Sequence, residues 1–339
     1  MTLPSPTPLR FALLGTGRIG QVHAASVAAS PDAVLQVACD TFVEGAERTV
    51  GVYGGRATSD PLAAIAADDV DAVIVASPTP THVDLIEACV EAGVPVLCEK
   101  PIDLDITRVD AVRDKVRASS TPVVLGFNRR FDPHFAALRA RVRAGEIGRL
   151  EHLAITSRDP EPAPGEYIAV SGGIFRDMTI HDFDMARAFL PDIVEVTAVG
   201  FSQFSDVIKS HGDYDAAVVT MRAAGGESVV ITNSRHSAYG YDQRLEAFGP
   251  DGLLQVDNVA DDIVRASTQT LASAGSPFQR FFLERYKAAY SLELAAFVAT
   301  VRGEDAGSPD FEDGRAALLL ADAATRSAAE GRAIAVDLS

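Results

Sequence analysis

The sequence predicts an α/β protein with an N-terminal doubly wound parallel sheet and a C-terminal α/β domain with an open, mostly antiparallel sheet. Three observations indicate this fold class. Up to about residue 128, short apolar runs alternate with helix-like segments, which is typical of parallel strands covered on both faces. A glycine-rich turn follows the first run. From about residue 150, the runs alternate in polarity or carry β-branched residues, with turn signals between them. We expect two domains, over residues 1–128 and 129–339.

Length and composition exclude several classes of protein. The 339 residues suffice for two separate cores, and 47% hydrophobic with 23% charged residues is typical of a globular protein. A formal charge of -17 argues against a nucleic-acid or anionic-membrane partner. The segment Met1–Pro8 lacks the basic start and apolar core of a signal peptide, and no apolar run reaches the ~18 residues of a membrane span. We therefore expect a cytoplasmic protein.

The three cysteines, Cys39, Cys89 and Cys98, lie in apolar, strand-like or helix-like context. Their odd number favours buried free thiols in a reducing compartment over disulfides. The sequence has no CxxC and no cluster of His and Cys with ligand spacing, so we expect no metal site.

The glycine-rich turn has the pattern GxGxxG between a strand and a helix. Leu9–Leu14 is the predicted strand, and the motif GTGRIG at residues 15–20 opens a helix that runs to Ala29. The first glycine permits a tight turn, the second lets the backbone approach a pyrophosphate, and the third lets helix and strand pack closely. The free N–H groups of the helix N-terminus can then bind phosphate. The motif predicts a dinucleotide-binding (Rossmann) domain. The predicted cofactor contacts in it are Gly15, Gly17, Arg18, Ile19 and Gly20.

The end of the next strand carries the second part of this signal. Val34–Cys39 is the predicted strand, and it is followed by Asp40, 20 residues beyond Gly20. A carboxylate at this place accepts hydrogen bonds from the adenosine ribose hydroxyls and repels a 2′-phosphate. Thr41 follows, and no adjacent arginine is present to bind that phosphate. The sequence therefore favours NAD over NADP.

The alternation of helices and strands continues to residue 126. The further predicted elements are a helix over Val43–Tyr53, a helix start at Asp60-Pro61, a strand over Asp71–Ala76, a helix over Val83–Glu91, and strands over Pro95–Cys98 and Val123–Gly126. The loop after the third strand lies where a doubly wound sheet binds its ligand, so Ser77, Thr79 and His82 are candidate cofactor contacts. The alternative is an ordinary turn in which Thr79 or Thr81 caps the next helix.

Lys100 follows the strand Pro95–Cys98, between Glu99 and Pro101. Only four of the 30 basic residues are lysines, which makes a lysine at a strand end facing the predicted cofactor crevice unusual for this chain. A compact ammonium can donate to a substrate hydroxyl, and its pKa responds to burial. The alternative is a surface lysine that balances Glu99.

The stretch Ser171–Leu190 predicts one helix of about five turns that forms the wall of a site. At about 100° per residue, Asp177, His181 and Asp184 fall within an arc of roughly 60°. Apolar residues cover most of the remaining surface, and such a helix is normally buried, where a polar stripe is costly unless paired or facing a cavity. The alternative is a core histidine paired within its own helix. Asp182 points away from Asp177 and is expected to be structural.

The second half of the chain predicts a sheet followed by two long helices. The predicted strands are Leu150–Thr156, Ile193–Phe201, Asp215–Arg222, Ser228–Asn233 and Gln243–Phe248, and the predicted helices are Arg280–Val301 and Phe311–Ala329. An open sheet needs its second face covered, and a partner subunit is the usual solution. Tyr239, Tyr241, Arg285 and Tyr290 are candidates for the pocket, with core or interface packing as the alternative; Tyr241 is preferred.

Several segments together resemble the Gfo/Idh/MocA oxidoreductases, and among them the bacterial inositol dehydrogenases. The likeness runs in the same order over nearly the whole chain. The matching segments are GTGRIG at 15–20, CEKP at 98–101, GFNRRFD at 126–132, the GG…D…HD.D pattern at 172–184, YGYD at 239–242, and RFFLERYKAAYSLELAAF at 280–297.

The resemblance implies a catalytic trio of Lys100, Asp177 and His181, a nicotinamide cofactor that is usually NAD, and a homotetramer built through the second domain. It also implies a cofactor contact from Glu99. The implied substrate contacts are Lys100, Asn128, Asp159, Asp177, His181 and Tyr241.

Oxidation of a secondary alcohol needs a base for the hydroxyl proton while a hydride leaves for the nicotinamide. His181 is the natural base because histidine ordinarily titrates near neutrality. Asp177 would orient the ring, and Lys100 would stabilise the developing alkoxide. We expect oxidation of a cyclic polyol, with myo-inositol giving 2-keto-myo-inositol (scyllo-inosose). The alternatives are scyllo-inositol or a pyranose sugar as substrate, or an NAD-binding sensor without catalysis.

Overall fold

The computed structural model describes residues 7–339. Residues 1–6, on which much of the signal-peptide prediction depends, lie outside the described residues. The strands are β1 Leu9–Leu14, β2 Ala33–Cys39, β3 Arg56–Thr58, β4 Ala72–Val75, β5 Val96–Glu99, β6 Val123–Gly126, β7 His152–Arg158, β8 Ile193–Phe201, β9 Ala216–Ala223, β10 Ser228–Ser234, β11 Asp242–Gly249, β12 Gly252–Val256, β13 Arg265–Ala266, β14 Ala274–Gly275 and β15 Ile334–Ala335.

The helices connect these strands and end the chain. They are α1 Arg18–Ala29, α2 Val43–Tyr53, α3 Pro61–Ile65, α4 His82–Ala92, α5 Ile106–Ala118, α6 Pro133–Arg143, α7 Gly165–Ile168, α8 Ile174–Asp177, α9 Ile180–Phe189, α10 Asp206–Ser210, α11 Phe282–Arg285, α12 Lys287–Val301 and α13 Phe311–Glu330.

The chain divides into two compact units. The first comprises Met1–Phe131 and Ala288–Leu318, and the second comprises Asp132–Lys287 and Leu319–Ser339. The first unit therefore includes a late segment of the chain in addition to the N-terminal part. The assignment of NAD binding to residues 1–128 and of substrate binding and oligomerisation to residues 129–339 stays a prediction.

The first unit is built on a six-stranded sheet in the order β3-β2-β1-β4-β5-β6, with every neighbouring pair parallel. The strand order reverses between β1 and β4, where doubly wound sheets bind nucleotides. Helices cover the buried strands, and α12 contributes Leu294, Phe297 and Val298 to the same core as Phe11 and Leu13. This confirms the predicted doubly wound sheet. The three-residue strand β3 was missed because so short a run carries no periodic signal.

The second unit is built on a seven-stranded sheet in the order β12-β11-β7-β10-β9-β8-β15. Only β7 and β10 run parallel, which confirms the mostly antiparallel prediction. Side chains alternate between a buried and a more exposed face along β7, β9, β10 and β11. Helix α9 lies against β7. The edge strands β12 and β15 were not predicted.

The single helix predicted over Ser171–Leu190 is wrong, because the structure has two helices there, α8 and α9. At the break, the Thr179 amide donates to the Ile174 carbonyl five residues earlier, as in a π-type turn. The Thr179 hydroxyl lies 3.3 Å from the same Ile174 carbonyl oxygen and also bonds the Asn233 amide oxygen at 2.6 Å. The predicted 60° arc fails for the same reason, since the break falls between Asp177 and His181.

The helix predicted over Arg280–Val301 is also interrupted, because α11 ends at Arg285 and α12 begins at Lys287. Helix α13 agrees with the prediction to within one residue. Among residues 7–339, no helix combines the length and apolar character needed to cross a bilayer.

The three cysteines are buried and form no disulfide, as the sequence predicts. Burial raises the pKa of Cys39 to about 11 and that of Cys89 to about 12. Burial also raises the pKa of Cys98. These thiols therefore stay protonated near neutral pH and pack as small apolar side chains.

Candidate functional site

The glycine-rich loop between β1 and α1 has the geometry of a phosphate-binding turn. Gly15 has φ +98°, and a Cβ there would lie 2.5 Å from the Ala76 backbone. A Cβ on Gly20 would lie 2.1 Å from the Gly15 carbonyl oxygen. A Cβ on Gly17, in contrast, would meet nothing within 4 Å, so the middle of the loop is open to a ligand.

The N-terminus of α1 offers donors to such a ligand. Gly17 occupies the N-cap position and supplies no side-chain hydrogen bond, and the first turn holds no acidic residue. The amides of Arg18 and Ile19 begin this 12-residue helix, whose positive dipole end favours an anion. The loop and helix together fit the pyrophosphate of a dinucleotide.

Asp40 stands at the carboxyl end of β2, next to this loop. Its Oδ2 accepts from the Thr16 amide at 2.8 Å and the Thr16 hydroxyl at 2.7 Å, and its Oδ1 accepts from the Phe42 amide at 3.0 Å. Partial burial opposes ionisation, yet these hydrogen bonds and the charge of Arg48 outweigh it and lower the pKa of Asp40. A fixed carboxylate beside the glycine loop fits the ribose-binding role predicted for it.

In the loop after β4, Thr81 does not cap helix α4 through its side chain, contrary to the alternative considered from the sequence. Thr81 is the N-cap residue of α4, but its hydroxyl bonds the Pro78 carbonyl at 2.8 Å and the Ser77 hydroxyl at 2.6 Å instead of capping the helix. Thr79 lies in the 3₁₀ turn that precedes α4. The hydroxyls of Ser77 and Thr81 therefore form a small polar cluster at the strand end.

His82 is 1% exposed, which limits its access to a ligand. Its Nδ1 lies 2.7 Å from the Pro101 carbonyl oxygen, and its Nε2 lies 2.8 Å from the Ser77 carbonyl oxygen. The ring therefore braces the loop after β4 against the loop after β5. This is a positioning role for a residue that the sequence marked as a cofactor contact.

Lys100 follows β5 as predicted, and its peptide bond to Pro101 is cis. Its amide lies 3.3 Å from Oε2 of Glu99, which is 7% exposed. The other oxygen of Glu99 lies 2.7 Å from Nε2 of His23, a residue of α1 that is 1% exposed. The lysine therefore extends from a backbone segment that a buried carboxylate and imidazole hold in place.

A second buried carboxyl group, Glu293 on α12, belongs to the same unit. It is 1% exposed, and neither of its carboxyl oxygens has a hydrogen-bond partner among the described residues. Burial and the nearby charge of Glu99 raise its pKa well above the usual range. Burial therefore favours the protonated form of Glu293.

In the second unit, Asp177 ends α8 and is held from two sides. Its Oδ1 accepts from the Tyr167 hydroxyl at 2.7 Å, and its Oδ2 accepts from Nη1 of Arg235 at 3.1 Å. Arg235 is 1% exposed and also donates to Asp213 at 3.3 Å. His181 follows in the first turn of α9 and is partly exposed. A carboxylate and an imidazole thus stand on either side of the break between α8 and α9.

Two further predicted site residues belong to this unit. Asp159 follows β7 and is partly exposed, and its charge acts on the Tyr167 hydroxyl. Tyr241 is 4% exposed and packs edge-on against Phe281 and Tyr286, with ring centroids about 6 Å apart. Asn128 belongs to the first unit and is 3% exposed.

Asp182 and Asp184 are both fully buried. Asp182 accepts from the Ser157 hydroxyl and the Asn233 side-chain amide, each at 2.7 Å. These contacts tie α9 to β7 and β10 and agree with the structural role expected for Asp182.

Among the other pocket candidates, Arg285 has a structural partner. It is 6% exposed and forms a buried ion pair with Asp132, which also caps α6. Tyr290 lies in the first unit and packs edge-on against His23. Tyr239 donates to Asp242 at 2.6 Å and is 47% exposed.

The sequence prediction missed the residues that support these groups. Tyr167, Arg235 and Asp213 surround Asp177, whereas His23 and Glu293 stand around Glu99. Tyr167 lies ten residues before Asp177. The others lie far along the chain from the residue that they surround. Only the fold could bring them together.

In the part of the chain that the structure describes, no group of three or more His, Cys, Asp or Glu side chains could hold a metal ion. A cavity of about 370 Å³ in the second unit lies between α6 and the residues from Leu254 to Val259. No predicted site residue lines it.

The doubly wound sheet, the glycine loop and Asp40 form a dinucleotide-binding domain of the kind found in NAD-dependent dehydrogenases. Comparison with known families places it more closely. Residues 9–127 match the oxidoreductase family model described as an NAD-binding Rossmann fold, and residues 135–255 match the GFO/IDH/MocA C-terminal domain. The chain belongs to the GFO/IDH/MocA oxidoreductase family, which confirms the resemblance stated above.

Individual relatives cover nearly the whole chain. An inositol 2-dehydrogenase from Rhizobium meliloti is 46% identical over 97% of this chain and 99% of its own length. The crystal structure of a myo-inositol dehydrogenase from Corynebacterium glutamicum is 54% identical with a TM-score of 0.93, covering 97% and 99%. A scyllo-inositol dehydrogenase from Lactobacillus casei with bound NAD(H) and scyllo-inositol is 27% identical with a TM-score of 0.89, covering 97% and 99%.

Proposed function

We propose that this dehydrogenase oxidises one secondary alcohol of a cyclic polyol to the ketone, with myo-inositol giving 2-keto-myo-inositol (scyllo-inosose). One observation carries the proposal. The chain is similar to inositol dehydrogenases over 97% of its length. The proposed roles of Lys100, Asp177 and His181 follow from the resemblance of their sequence segments to this family.

His181 is the base that takes the hydroxyl proton, since an imidazole can accept a proton near neutral pH. Asp177 orients the ring and stabilises the imidazolium that forms. Lys100 donates a hydrogen bond to the reacting oxygen and stabilises its developing negative charge. Bound NAD supplies the hydride acceptor. The cofactor contacts come from the glycine loop, Asp40, and the ends of β4 and β5.

The substrate contacts proposed beyond this trio are Asn128, Asp159 and Tyr241. A carboxylate, an amide and a tyrosine hydroxyl can each bond the hydroxyl groups of a polyol, and the tyrosine ring offers an apolar face to the carbon ring. Edge-on packing against Phe281 and Tyr286 fixes the orientation of the Tyr241 ring.

The test is the initial rate of NADH formation with purified protein, NAD and a panel of inositol isomers and pyranose sugars. The expected result is a kcat/KM for myo-inositol above that for every other compound, with the ketone as product. No turnover of any polyol would overturn the proposal.

A second substrate, scyllo-inositol, is favoured by one observation. The relative with NAD(H) and scyllo-inositol bound shares the fold with a TM-score of 0.89, although it is only 27% identical. The same panel decides between the two isomers and tests a pyranose sugar.

A catalytically silent sensor is the alternative from a different class. It would bind NAD without turnover and would tolerate loss of Lys100 or His181.

We also propose that the chain forms a homotetramer through the second unit's sheet. Val199 and Val218 pair across β8 and β9, and Phe248 and Leu253 pair across β11 and β12. All four are between 38% and 51% exposed, so apolar side chains lie open on the sheet. Light scattering should give four chains per particle, and Val218→Glu should dissociate them. A monomer at micromolar concentration would contradict the proposed tetramer.

The proposed cytoplasmic location can be checked by cell fractionation.

A further inference from the structure

We propose that Tyr167 and Arg235 are positioning residues that hold the Asp177 carboxylate in its working orientation and thereby set how strongly His181 binds its proton. The inference rests on the proposed function, because Asp177 and His181 matter only if they act on the alcohol. Neither Tyr167 nor Arg235 belongs to any motif that carries the family resemblance.

Arg235 is the first half of this arrangement. It follows β10, and its side chain is 1% exposed between two carboxylates. Nη1 donates to Asp177 at 3.1 Å, and Nη2 donates to Asp213 at 3.3 Å. A planar guanidinium fixes the angle between two acceptors, which a flexible ammonium cannot do.

Asp213 joins this contact to the helix that carries Asp177. Its Oδ1 accepts from the Ile174 amide at 2.9 Å, at the N-terminus of α8, and from the Tyr214 amide at 2.8 Å. Asp213 therefore holds the start of α8, while Arg235 bonds both Asp213 and the carboxylate at the end of the same helix. A four-residue helix has little stability of its own, so this closed set of contacts fixes its position.

Tyr167 is the second half. It belongs to the short helix α7, and its hydroxyl donates to Oδ1 of Asp177 at 2.7 Å. Burial and the charges of Asp177 and Asp159 raise the pKa of Tyr167, so the hydroxyl stays protonated and acts only as a donor toward the carboxylate. These groups surround the hydroxyl, but the residue as a whole is 47% exposed, so the hydroxyl can be removed without opening a hole in the core.

Two of the charged and titratable groups around Asp177 bond it directly, Tyr167 on α7 and Arg235 after β10. Asp213 before β9 bonds Arg235, and the charge of Asp159 after β7 acts on Tyr167. In the proposed mechanism Asp177 accepts from the His181 ring, so each donor that bonds the Asp177 carboxylate competes for the negative charge that stabilises the imidazolium. Loss of a donor leaves Asp177 a stronger acceptor for the imidazolium, so His181 should hold its proton to higher pH.

The test uses Tyr167→Phe, which removes one hydroxyl and keeps the ring. The titration midpoint of His181 is measured by NMR of protein with labelled histidine, with the His181 signal assigned from its loss in His181→Asn. We expect the midpoint to rise by about 0.3–1 pH unit in Tyr167→Phe. In kinetics, the acid limb of kcat/KM should move to higher pH by the same amount, and kcat should fall with little change in KM.

Two further variants, a control and a second probe of Asp177, make the result decisive. Tyr53→Phe removes a hydroxyl from a tyrosine at the end of α2, in the first unit, and should leave the His181 midpoint unchanged. Arg235→Lys should shift the midpoint in the same direction as Tyr167→Phe, with a melting temperature recorded to confirm folding. If Arg235→Lys does not fold, the result for Tyr167→Phe decides the question by itself.

An unchanged His181 midpoint in Tyr167→Phe overturns the inference. So does a fall in kcat/KM by one factor at every pH, because a merely structural role would produce it. If the wild-type protein oxidises no polyol, the proposed function fails. The NMR titration still decides whether Tyr167 acts on His181 through Asp177.

Discussion

The glycine loop of the first unit and the Asp177 region of the second unit are built in different ways. The loop uses residues 15–20 and Asp40, which lie within 26 positions of one another and follow fixed spacing. The Asp177 region draws on Tyr167, Asp213 and Arg235, which come from three separate segments. A ligand-binding turn can thus be encoded locally, whereas the orientation of the Asp177 carboxylate depends on tertiary contacts.

The largest expected effect is on the stability of the second unit, whose construction depends on long-range pairs. Arg285→Ala should lower the free energy of unfolding by about 3–5 kcal/mol, because it leaves the Asp132 carboxylate buried without its guanidinium partner. Urea denaturation measures this. Arg222→Ala breaks an exposed pair with Glu195 and should cost less than about 1 kcal/mol. Equal losses in the two variants would contradict the account.

The next effect separates chemistry in the second unit from cofactor binding in the first. His181→Ala should lower kcat/KM for the polyol by at least ~10²-fold, because the reaction loses its base. NAD affinity, measured by calorimetry, should stay within about twofold of wild type. A near-wild-type kcat/KM would remove His181 from the mechanism.

A smaller effect tests the local construction of the first unit. Asp40→Ala should weaken NAD binding by roughly tenfold and relax the preference against NADP, because the ribose loses a charged acceptor. Asp69→Ala is the matched control, since Asp69 pairs with Arg56 at the surface of the same unit. Unchanged NAD affinity in Asp40→Ala would show that the ribose assignment is wrong.

The smallest effect concerns the buried acid of the first unit. The pKa of Glu293 is higher in the folded protein than in the unfolded chain. The contribution of Glu293 to the free energy of unfolding is therefore complete below the pKa of the unfolded chain. It is lost as the pH rises toward the pKa of the folded protein. Glu293→Gln removes this dependence. The variant should melt roughly 2–4 °C above wild type at pH 7–8, and the difference should vanish near pH 4. A constant difference across this pH range would contradict a protonated Glu293.

The sequence predicted the parallel sheet because each buried strand is a continuous apolar run and each connection has its own turn signal. It placed Asp40 because the spacing from the glycine loop is set by one strand–helix–strand unit. It failed at Ser171–Leu190, where helical periodicity continues across Thr179 although the backbone does not. At the break, Thr179 bonds Asn233, more than 50 residues away, and no local pattern records that contact.

The site followed the same division. The positions of Lys100 and of the ends of β4 and β5 were predictable because parallel strands end at one edge of their sheet, whereas the role of Lys100 stays a prediction. Arg235 and His23 were not predictable, because each contacts a partner distant in sequence. Tyr167 lies only ten residues before Asp177, but no motif with fixed spacing links the two. Arg48 was missed for a similar reason, since it reaches Asp40 from the next helix and not from the residues beside it.

The proposed mechanism requires Lys100 and His181 to act on a single alcohol carbon. A crystal structure with NAD and myo-inositol bound is the decisive experiment. We expect Nζ of Lys100 and one imidazole nitrogen of His181 both to lie about 3 Å from the same substrate hydroxyl oxygen, with that carbon facing the nicotinamide ring. A complex in which the two side chains contact different hydroxyls, or in which only one of them reaches the substrate, would contradict it.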